Sequence, residues 1–193
     1  MVPLILEPMI ASFCAAYPQI ELEIAASDEM VDLASGGFDA GIRMGQFIAP
    51  DMVAVRLTPS FPFRVVGSPA YLARCGRPER IEDLRDHACL RLRRSGGAIA
   101  PWTFADGAGT IDAMVSGPLI AHDYPTLLGA AMRGVGLAQA PGPLVREALA
   151  SAELVEVLEG LSAQTPGVFL FHHGKRQVLP KLRAFIDHAR SRG

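Results

Sequence analysis

The spacing of apolar residues changes several times along the chain, and each spacing predicts a helix or a strand. Near the N-terminus, Pro8 suits the first turn of a helix. After that helix, Ile20, Leu22 and Ile24 alternate with polar residues, which predicts a half-exposed strand. The predicted helix has one apolar face at the i, i+3, i+4, i+7 spacing, formed by Ile10, Phe13, Cys14 and Tyr17.

The rest of the chain continues this alternation of short strands and helices. Such alternation favours an α/β fold with a largely parallel sheet. No Gly/Ser-rich linker divides the sequence, so we expect a boundary that the chain crosses and recrosses rather than two consecutive domains. The predicted strands are 38–44, 52–57, 63–67, 88–91, 102–104, 110–115, 137–139, 154–158 and 168–171, and the predicted helices begin near 69, 81, 125, 143 and 179.

Composition argues against two classes of partner. The 193 residues carry 18 Lys and Arg against 20 Asp and Glu, so the chain lacks the basic surplus that neutralises nucleic-acid phosphates. No apolar run reaches the ~20 residues that span a bilayer, so no membrane partner is predicted. A mean hydropathy of +0.25 indicates buried oligomer surface. The three cysteines lack CxxC spacing and are typical of reduced, mostly buried thiols in a cytoplasmic protein.

Catalytic and metal-binding motifs are not found in the sequence. There is no GxSxG, P-loop or GxGxxG. Gly134-Val135-Gly136 precedes a predicted strand, which favours a tight turn over a phosphate loop. His172 and His173 are adjacent, so in a strand they point to opposite faces and cannot chelate one ion. We therefore predict no catalytic residue, no metal site and no cofactor.

Polar residues at the ends of predicted strands are the better candidates for ligand contacts. In open α/β folds, ligands lie beyond the carboxyl ends of strands and against helix N-termini. Ordinary helix capping is the alternative for the Ser and Asp residues, and a structural ion pair is the alternative for Arg43. The candidates are Ser27 with Asp28, Ser68, His122 with Asp123, and Arg43 late in its strand.

Several segments, in order along nearly the whole chain, resemble LysR-type transcriptional regulators. Residues 35–45 (SGGFDAGIRMG) resemble that family's EGFDxAIRxG segment. Residues 67–78 (GSPAYLARCGRP) resemble SPAYLxxxGxP, and 82–90 (EDLRDHACL) resemble EDLxxHxCL. Residues 134–141 (GVGLAQAP) resemble GxGIAxxP. The likeness is greatest to the CrgA-like branch.

The resemblance implies an effector-binding domain with a type 2 periplasmic-binding-protein-like α/β fold. Two Rossmann-like lobes would be joined by two crossovers, with lobe I at 1–66 and 169–193 and lobe II at 67–168. A small carboxylate or aromatic effector would bind in the cleft between lobes and modulate transcription. Gly45 and Pro141 lie in the matching segments and join the effector-binding candidates. DNA would be bound only through a separate winged helix-turn-helix domain that this sequence does not include.

The family also implies a homodimer or tetramer with antiparallel subunits. Its first strand, with a Ser/Thr-bearing turn, has no counterpart in this sequence, which predicts an incomplete first-lobe sheet. The interface is predicted on the first helix, the strand after it and one helix of lobe II. Its predicted residues are Ile10, Phe13, Cys14, Tyr17, Ile20, Leu22, Thr126, Ala130 and Arg133.

Two other functions fit the same fold. A periplasmic solute-binding protein would carry a signal peptide upstream. An enzyme would need a nucleophile or an acid/base pair brought together in the cleft.

Overall fold

The chain folds into two units, each built from a sheet with packed helices. The computed structural model describes residues 5–25, 33–45, 52–94, 96–107, 109–174 and 178–190. Unit 1 comprises Met1–Ser60 and Thr165–Gly193, and unit 2 comprises Phe61–Gln164. The division therefore falls at 60/61 and 164/165, a few residues before the crossovers expected at 66/67 and 168/169. The strand at 61–67 pairs with residues 138–141 and 155–157, which all belong to unit 2.

Unit 1 has a small antiparallel sheet covered by two helices. Its sheet has the order β1-β11-β2, and its helices α1 and α6 pack on one face around Phe13, Leu170 and Phe185. Tyr17 and His188 extend this aromatic cluster beside Phe13. The elements are α1 (Glu7–Ala16), α2 (Leu33–Gly36), β1 (Gly41–Met44), β2 (Met52–Arg56), β11 (Val168–His173) and α6 (Pro180–Arg190).

Unit 2 has a mixed sheet that is buried on both faces. The strand order is β10-β3-β8-β4-β7, and β9 also pairs with β3. The strands are β3 (Phe61–Gly67), β4 (Cys89–Leu92), β5 (Trp102–Asp106), β6 (Gly109–Ala113), β7 (Ile120–Ala121), β8 (Leu137–Pro141), β9 (Val155–Val157) and β10 (Gln164–Thr165). The helices are α3 (Pro69–Cys75), the 3-10 helix η1 (Ile81–Asp86), α4 (Tyr124–Met132) and α5 (Gly142–Ala150).

The central strand β8 separates two hydrophobic cores of unit 2. Ala138 faces the core beneath α4 and α5, and Leu137 faces the core that contains Trp102. On the same face as Leu137, the buried Gln139 holds the β5–β6 hairpin. Its Oε1 accepts the Thr103 N–H at 3.0 Å, and its Nε2 donates to the Thr103 carbonyl at 3.0 Å. The hairpin is thereby fixed to the sheet.

The sheet of unit 1 is antiparallel and the sheet of unit 2 is mixed, so the prediction of a largely parallel arrangement is wrong. β4 runs parallel to β7 and β8, and helix α4 forms the crossover from β7 to β8. However, β3 and β11 are antiparallel to their neighbours. Each of these two strands follows a point where the chain passes from one unit to the other, so no local helical crossover fixes its direction.

Residues 20–25 form no strand, contrary to the alternating pattern. A strand needs a hydrogen-bonded neighbour, and none of the described residues pairs with this segment. Instead, the Ile20 N–H donates to the Tyr17 carbonyl at 3.0 Å, and Ile20 and Leu22 pack against the core of unit 1. Burial of Ile20 and Leu22 therefore agrees with the pattern even though no strand pairing forms, whereas Ile24, the third apolar position, is exposed.

Candidate functional site

Three parallel strands of unit 2 end at one edge of the sheet. Cys89 pairs with Leu137, and Leu92 pairs with Ala121. The carboxyl ends of β4, β7 and β8 therefore lie on the same side, which is where α/β proteins commonly bind ligands. This "carboxyl edge" is defined by the residues that end or follow the three strands, which are Arg93, His122, Asp123 and Pro141.

Asp123 caps helix α4 at the carboxyl edge. Its Oδ1 accepts the Thr126 N–H at 2.7 Å, and its Oδ2 accepts the Thr126 hydroxyl at 2.9 Å. The capping interpretation of Asp123 is thus satisfied by the structure. His122, directly before it, is exposed. The imidazole of His122 is therefore the more available polar group of this pair.

Helix α5 begins at the same edge without a side-chain cap. Its N-cap is Pro141, which provides no side-chain hydrogen bond, and Gly142 and Pro143 follow. A side chain at position 142 would meet the Pro62 carbonyl at 3.1 Å and Arg64 Nε at 3.3 Å. The start of α5 is therefore packed against Pro62 and Arg64, and because no side chain caps it, the helix dipole there favours an anion.

Two aromatic rings and an arginine at this edge were missed by the sequence analysis. Phe63 pairs with Pro141 across the β3–β8 ladder, and its ring centroid lies 6.4 Å from that of Tyr124. The Arg93 N–H donates to the Ala121 carbonyl at 2.8 Å, and its guanidinium donates to the Gly97 carbonyl at 2.6 Å. The antiparallel direction of β3 brings Phe63 here, and no local motif signals it.

Ser68 lies at the opposite edge of the same sheet. Because β3 is antiparallel to β8, its C-terminal end lies beside the N-terminal end of β8. Ser68 is 3% exposed, and its Oγ accepts the Tyr71 N–H at 3.3 Å as the N-cap of α3. The structure therefore does not bring Ser68 together with His122, Asp123 and Pro141.

Tyr71 and His87, which lie in the family-like segments, form a buried contact at that opposite edge. The Tyr71 hydroxyl accepts the Ala88 N–H at 2.9 Å and lies 3.1 Å from His87 Nδ1. Burial raises the pKa of Tyr71, so its hydroxyl stays protonated at neutral pH. This contact ties α3 to the start of β4.

The cysteines are more exposed than their sequence context predicts. Cys14 and Cys75 are exposed, and only Cys89 is buried. Both exposed cysteines lie on helices, on faces that the cores of their units do not cover. Burial raises the pKa of the Cys89 thiol to about 12, which makes it a poor nucleophile.

The unit 1 candidates lie on or beside β1. The Arg43 guanidinium stacks over the Phe171 ring, 5.7 Å from its centroid. The Gly45 N–H donates to the Gly167 carbonyl at 3.2 Å, and a side chain at position 45 would collide with the Phe169 ring. Ser27 and Asp28 lie outside the described residues.

The predicted interface residues differ in exposure. Phe13 is 1% exposed and belongs to the core of unit 1, so it is not available to a partner. Ile10, Tyr17, Ile20 and Leu22 are half-buried against the same core. Cys14 is exposed. On α4, Thr126 and Arg133 are exposed and Ala130 is half-buried.

The described residues contain neither a metal-binding cluster nor a helix able to span a membrane. Within those residues, no group of three or more His, Cys, Asp or Glu side chains is arranged to hold a metal ion. No helix among them combines the length and apolarity needed to cross a membrane.

Known proteins with similar sequences are bacterial regulators. The chain is 31% identical over 183 residues to the uncharacterized HTH-type transcriptional regulator YcaN of Escherichia coli K12, covering 95% of this chain and 60% of YcaN. It is 30% identical over 190 residues to the HTH-type transcriptional regulator PgrR of the same organism, covering 98% of this chain and 64% of PgrR. The chain therefore spans less than two thirds of the length of these relatives.

The fold matches a solved regulatory domain. The CrgA regulatory domain of Neisseria meningitidis, described as a LysR-type transcriptional regulator, superposes with a TM-score of 0.83 at 27% identity, covering 100% of this chain and 93% of that domain. This confirms the type 2 periplasmic-binding-protein-like α/β fold class. The family model "LysR substrate binding domain" matches residues 1–193. The chain belongs to the LysR substrate-binding domain family.

Proposed function

We propose that this chain is the effector-binding domain of a LysR-type transcriptional regulator and that it binds a small carboxylate at the carboxyl edge of unit 2. The observation that carries the proposal is the convergence of different groups at that edge. At the start of α5, which has no side-chain cap, Gly142 and Leu144 carry backbone N–H groups and Pro143 carries none, and His122 offers an exposed imidazole. Phe63 and Tyr124 provide ring surface for an aromatic or aliphatic body.

In the whole regulator, binding would change transcription through a helix-turn-helix domain. The relatives YcaN and PgrR carry that designation in their names. An effector can shift such a protein only if it binds two of its conformations with different affinities. As part of a transcription factor, the domain would act in the cytoplasm.

The proposal contains no catalytic step. The relatives are named as transcriptional regulators, which favours neither an enzyme nor a transport protein. The side chains at the carboxyl edge support the same choice. Asp123 is committed to capping α4, and the buried thiol of Cys89 is protonated at neutral pH.

We also propose that the domain forms homodimers or higher oligomers through the outer surface of α1 and through α4. The outward residues of α1 are small and apolar, among them Ala11, Cys14 and Ala15. Thr126 and Arg133 are exposed on α4. Small apolar side chains allow close approach of a partner helix, and homodimer interfaces are richer in apolar surface than ordinary exterior.

His122→Ala is expected to weaken binding of an aromatic carboxylate about five- to tenfold, because a hydrogen bond to a charged group is worth about 1.5–3 kcal/mol and part is retained by the α5 N-terminus. A panel of small aromatic and aliphatic carboxylates, including benzoate, would first be screened by thermal shift. A ligand present at about 100 times its dissociation constant stabilises the folded state by about 2.7 kcal/mol. Titration calorimetry would then compare the variant with the original chain.

Ser68→Ala is the matched control, since the same type of polar position is changed at the opposite edge. Loss of the α3 cap is expected to cost about 1 kcal/mol of unfolding free energy. The affinity for the carboxylate should stay unchanged. Equal weakening by both variants, or weakening by Ser68→Ala alone, would contradict placement of the ligand at the carboxyl edge.

A further inference from the structure

The guanidinium group of Arg91 lies in unit 2 without a carboxylate partner. Arg91 is half-buried on β4, and within the ranges that the structure describes it forms no ion pair. Its Nη2 donates to the Gly117 carbonyl at 2.9 Å. Its Nε is enclosed by protein and has no hydrogen-bond partner among the described residues. A charge that is removed from water without a partner is costly, so an anion that pairs with it would be bound favourably.

The end of the Arg91 guanidinium is open to a ligand. Its Nη1 makes no hydrogen bond to the described part of the chain and, unlike Nε, it is not enclosed. Nη2 uses one N–H for the Gly117 carbonyl and has a second one available. Together Nη1 and Nη2 present two parallel N–H groups, which is the fork that binds both oxygens of a carboxylate.

A short segment before β7 holds this guanidinium beside the start of β4. The Cys89 N–H donates to the Ser116 carbonyl at 2.9 Å, and the Arg91 N–H donates to the Leu119 carbonyl at 3.0 Å. A side chain at position 117 would lie 2.2 Å from the Cys89 carbonyl oxygen, so only glycine permits this approach. Burial raises the pKa of the Cys89 thiol to about 12, and the nearby positive charge of Arg91 opposes part of that rise. The charge of Arg91 therefore acts on a poorly hydrated part of unit 2.

Aliphatic side chains lie on the same side of the sheet as Arg91. Ile120 is its direct neighbour across the β4–β7 pairing. Leu92 and Ala121 form the next pair and face the core beneath α4, so Arg91 and Ile120 face the opposite side. Val115 is partly buried against the core on that opposite side. A bound carboxylate would therefore have aliphatic surface next to it.

We infer that Arg91 forms a second anion site of unit 2, which binds a small aliphatic carboxylate. The carboxylate accepts hydrogen bonds from Nη1 and Nη2, and its hydrocarbon part lies against Ile120 and Val115. The site is separate from the carboxyl edge, because the guanidinium extends toward Gly117 beside the start of β4, whereas the carboxyl edge lies beyond the end of that strand.

The experiment titrates the ¹⁵N-labelled chain with isobutyrate in Tris chloride buffer and follows the backbone amide chemical shifts. We expect saturable changes centred on Cys89, Gly117 and Ile120, with a dissociation constant in the millimolar range. Arg91→Met keeps the length of the side chain and removes its charge, so it should weaken binding by about tenfold or more. Arg91→Lys keeps the charge but lacks the fork, and it should weaken binding about three- to fivefold.

Arg85→Met is the matched control, since it removes an exposed arginine of unit 2 that already lies 3.4 Å from a carboxylate oxygen of Asp86, and it should leave isobutyrate binding unchanged. Emission from the buried Trp102 reports whether each variant is folded. If Arg91→Met fails to fold, Arg91→Lys and the shift map of the original chain still decide the question. Unchanged affinity in the folded Arg91 variants, or no saturable change near Gly117, would overturn the inference. Equal affinity for sulfate would overturn the assignment to carboxylates.

The two ligand sites can be separated by variants at each of them. His122→Ala should leave the isobutyrate-induced changes at Gly117 unchanged, and Arg91→Met should leave binding of an aromatic carboxylate at the carboxyl edge unchanged. If His122→Ala removes isobutyrate binding, this ligand occupies the carboxyl edge, and the Arg91 assignment is overturned while the proposed effector site is supported.

Discussion

Gly136→Ala is expected to lower the unfolding free energy of unit 2 by about 3 kcal/mol or more. A Cβ at this position would lie 2.2 Å from the Ala88 carbonyl oxygen and 3.0 Å from the Ala88 carbonyl carbon. Both contacts are with backbone, so no side chain can move aside. β4 and β8 would have to separate where they begin, and this separation would break the 2.8 Å hydrogen bond from the Leu137 N–H to the Ala88 carbonyl.

The measurement is urea unfolding followed by tryptophan fluorescence. Trp102 is the only tryptophan and is 3% exposed in the core of unit 2, so its emission reports this unit directly. Gly96→Ala is the control, because a Cβ there meets no atom within 4 Å. A midpoint for Gly136→Ala that coincides with that of Gly96→Ala would show that β4 and β8 are not in close backbone contact.

Phe13→Ala is expected to destabilise unit 1 by about 3–5 kcal/mol, as for other buried aromatic residues replaced by alanine. Phe13 is 1% exposed, and its ring packs edge-on against Phe185 at 5.2 Å and against His188 at 5.6 Å. The substitution would leave a cavity between α1 and α6. Circular dichroism during urea unfolding measures the loss, since unit 1 contains no tryptophan.

Cys14→Arg tests the neighbouring, exposed position of the same helix. Because Cys14 does not contact the core, this change should alter the stability of the fold by less than about 0.5 kcal/mol. It should, however, shift the chain toward monomer in sedimentation velocity, since a charge would enter the proposed interface. If Cys14→Arg destabilised the fold and Phe13→Ala did not, Cys14 rather than Phe13 would lie on the face of α1 that packs against the core.

The sequence predicts most helices and strands because their periodic patterns reflect burial. α1, α5 and α6 lie within a residue or two of the predicted helices, and β2 and β4 lie close to the predicted strands. The failure at residues 20–25 has a different origin. Alternation shows which side chains are buried, and Ile20 and Leu22 do contact the core, but it cannot show whether a neighbouring strand is present.

The candidate site is only partly accessible to sequence reasoning. His122 and Asp123 are predicted at the start of the helix near 125, Pro141 enters through the family resemblance, and the parallel strands β7 and β8 do bring them to one edge. Ser68 satisfies the same local rule and yet lies at the other edge. The rule that ligands lie beyond the carboxyl ends of strands places residues together only if their strands run in the same direction, and β3 runs antiparallel to β8. The same reversed direction brings Phe63 to the carboxyl edge, where no motif predicts it.

The most direct test of the account is a map of backbone amide chemical shifts in the ¹⁵N-labelled chain during titration with benzoate or with the tightest carboxylate of the panel. We expect the largest changes at the carboxyl edge, at Arg93, His122, Gly142 and Leu144. Changes centred on Ser68, Gly134 and Gly136 would place the ligand at the opposite edge of the sheet and contradict the account.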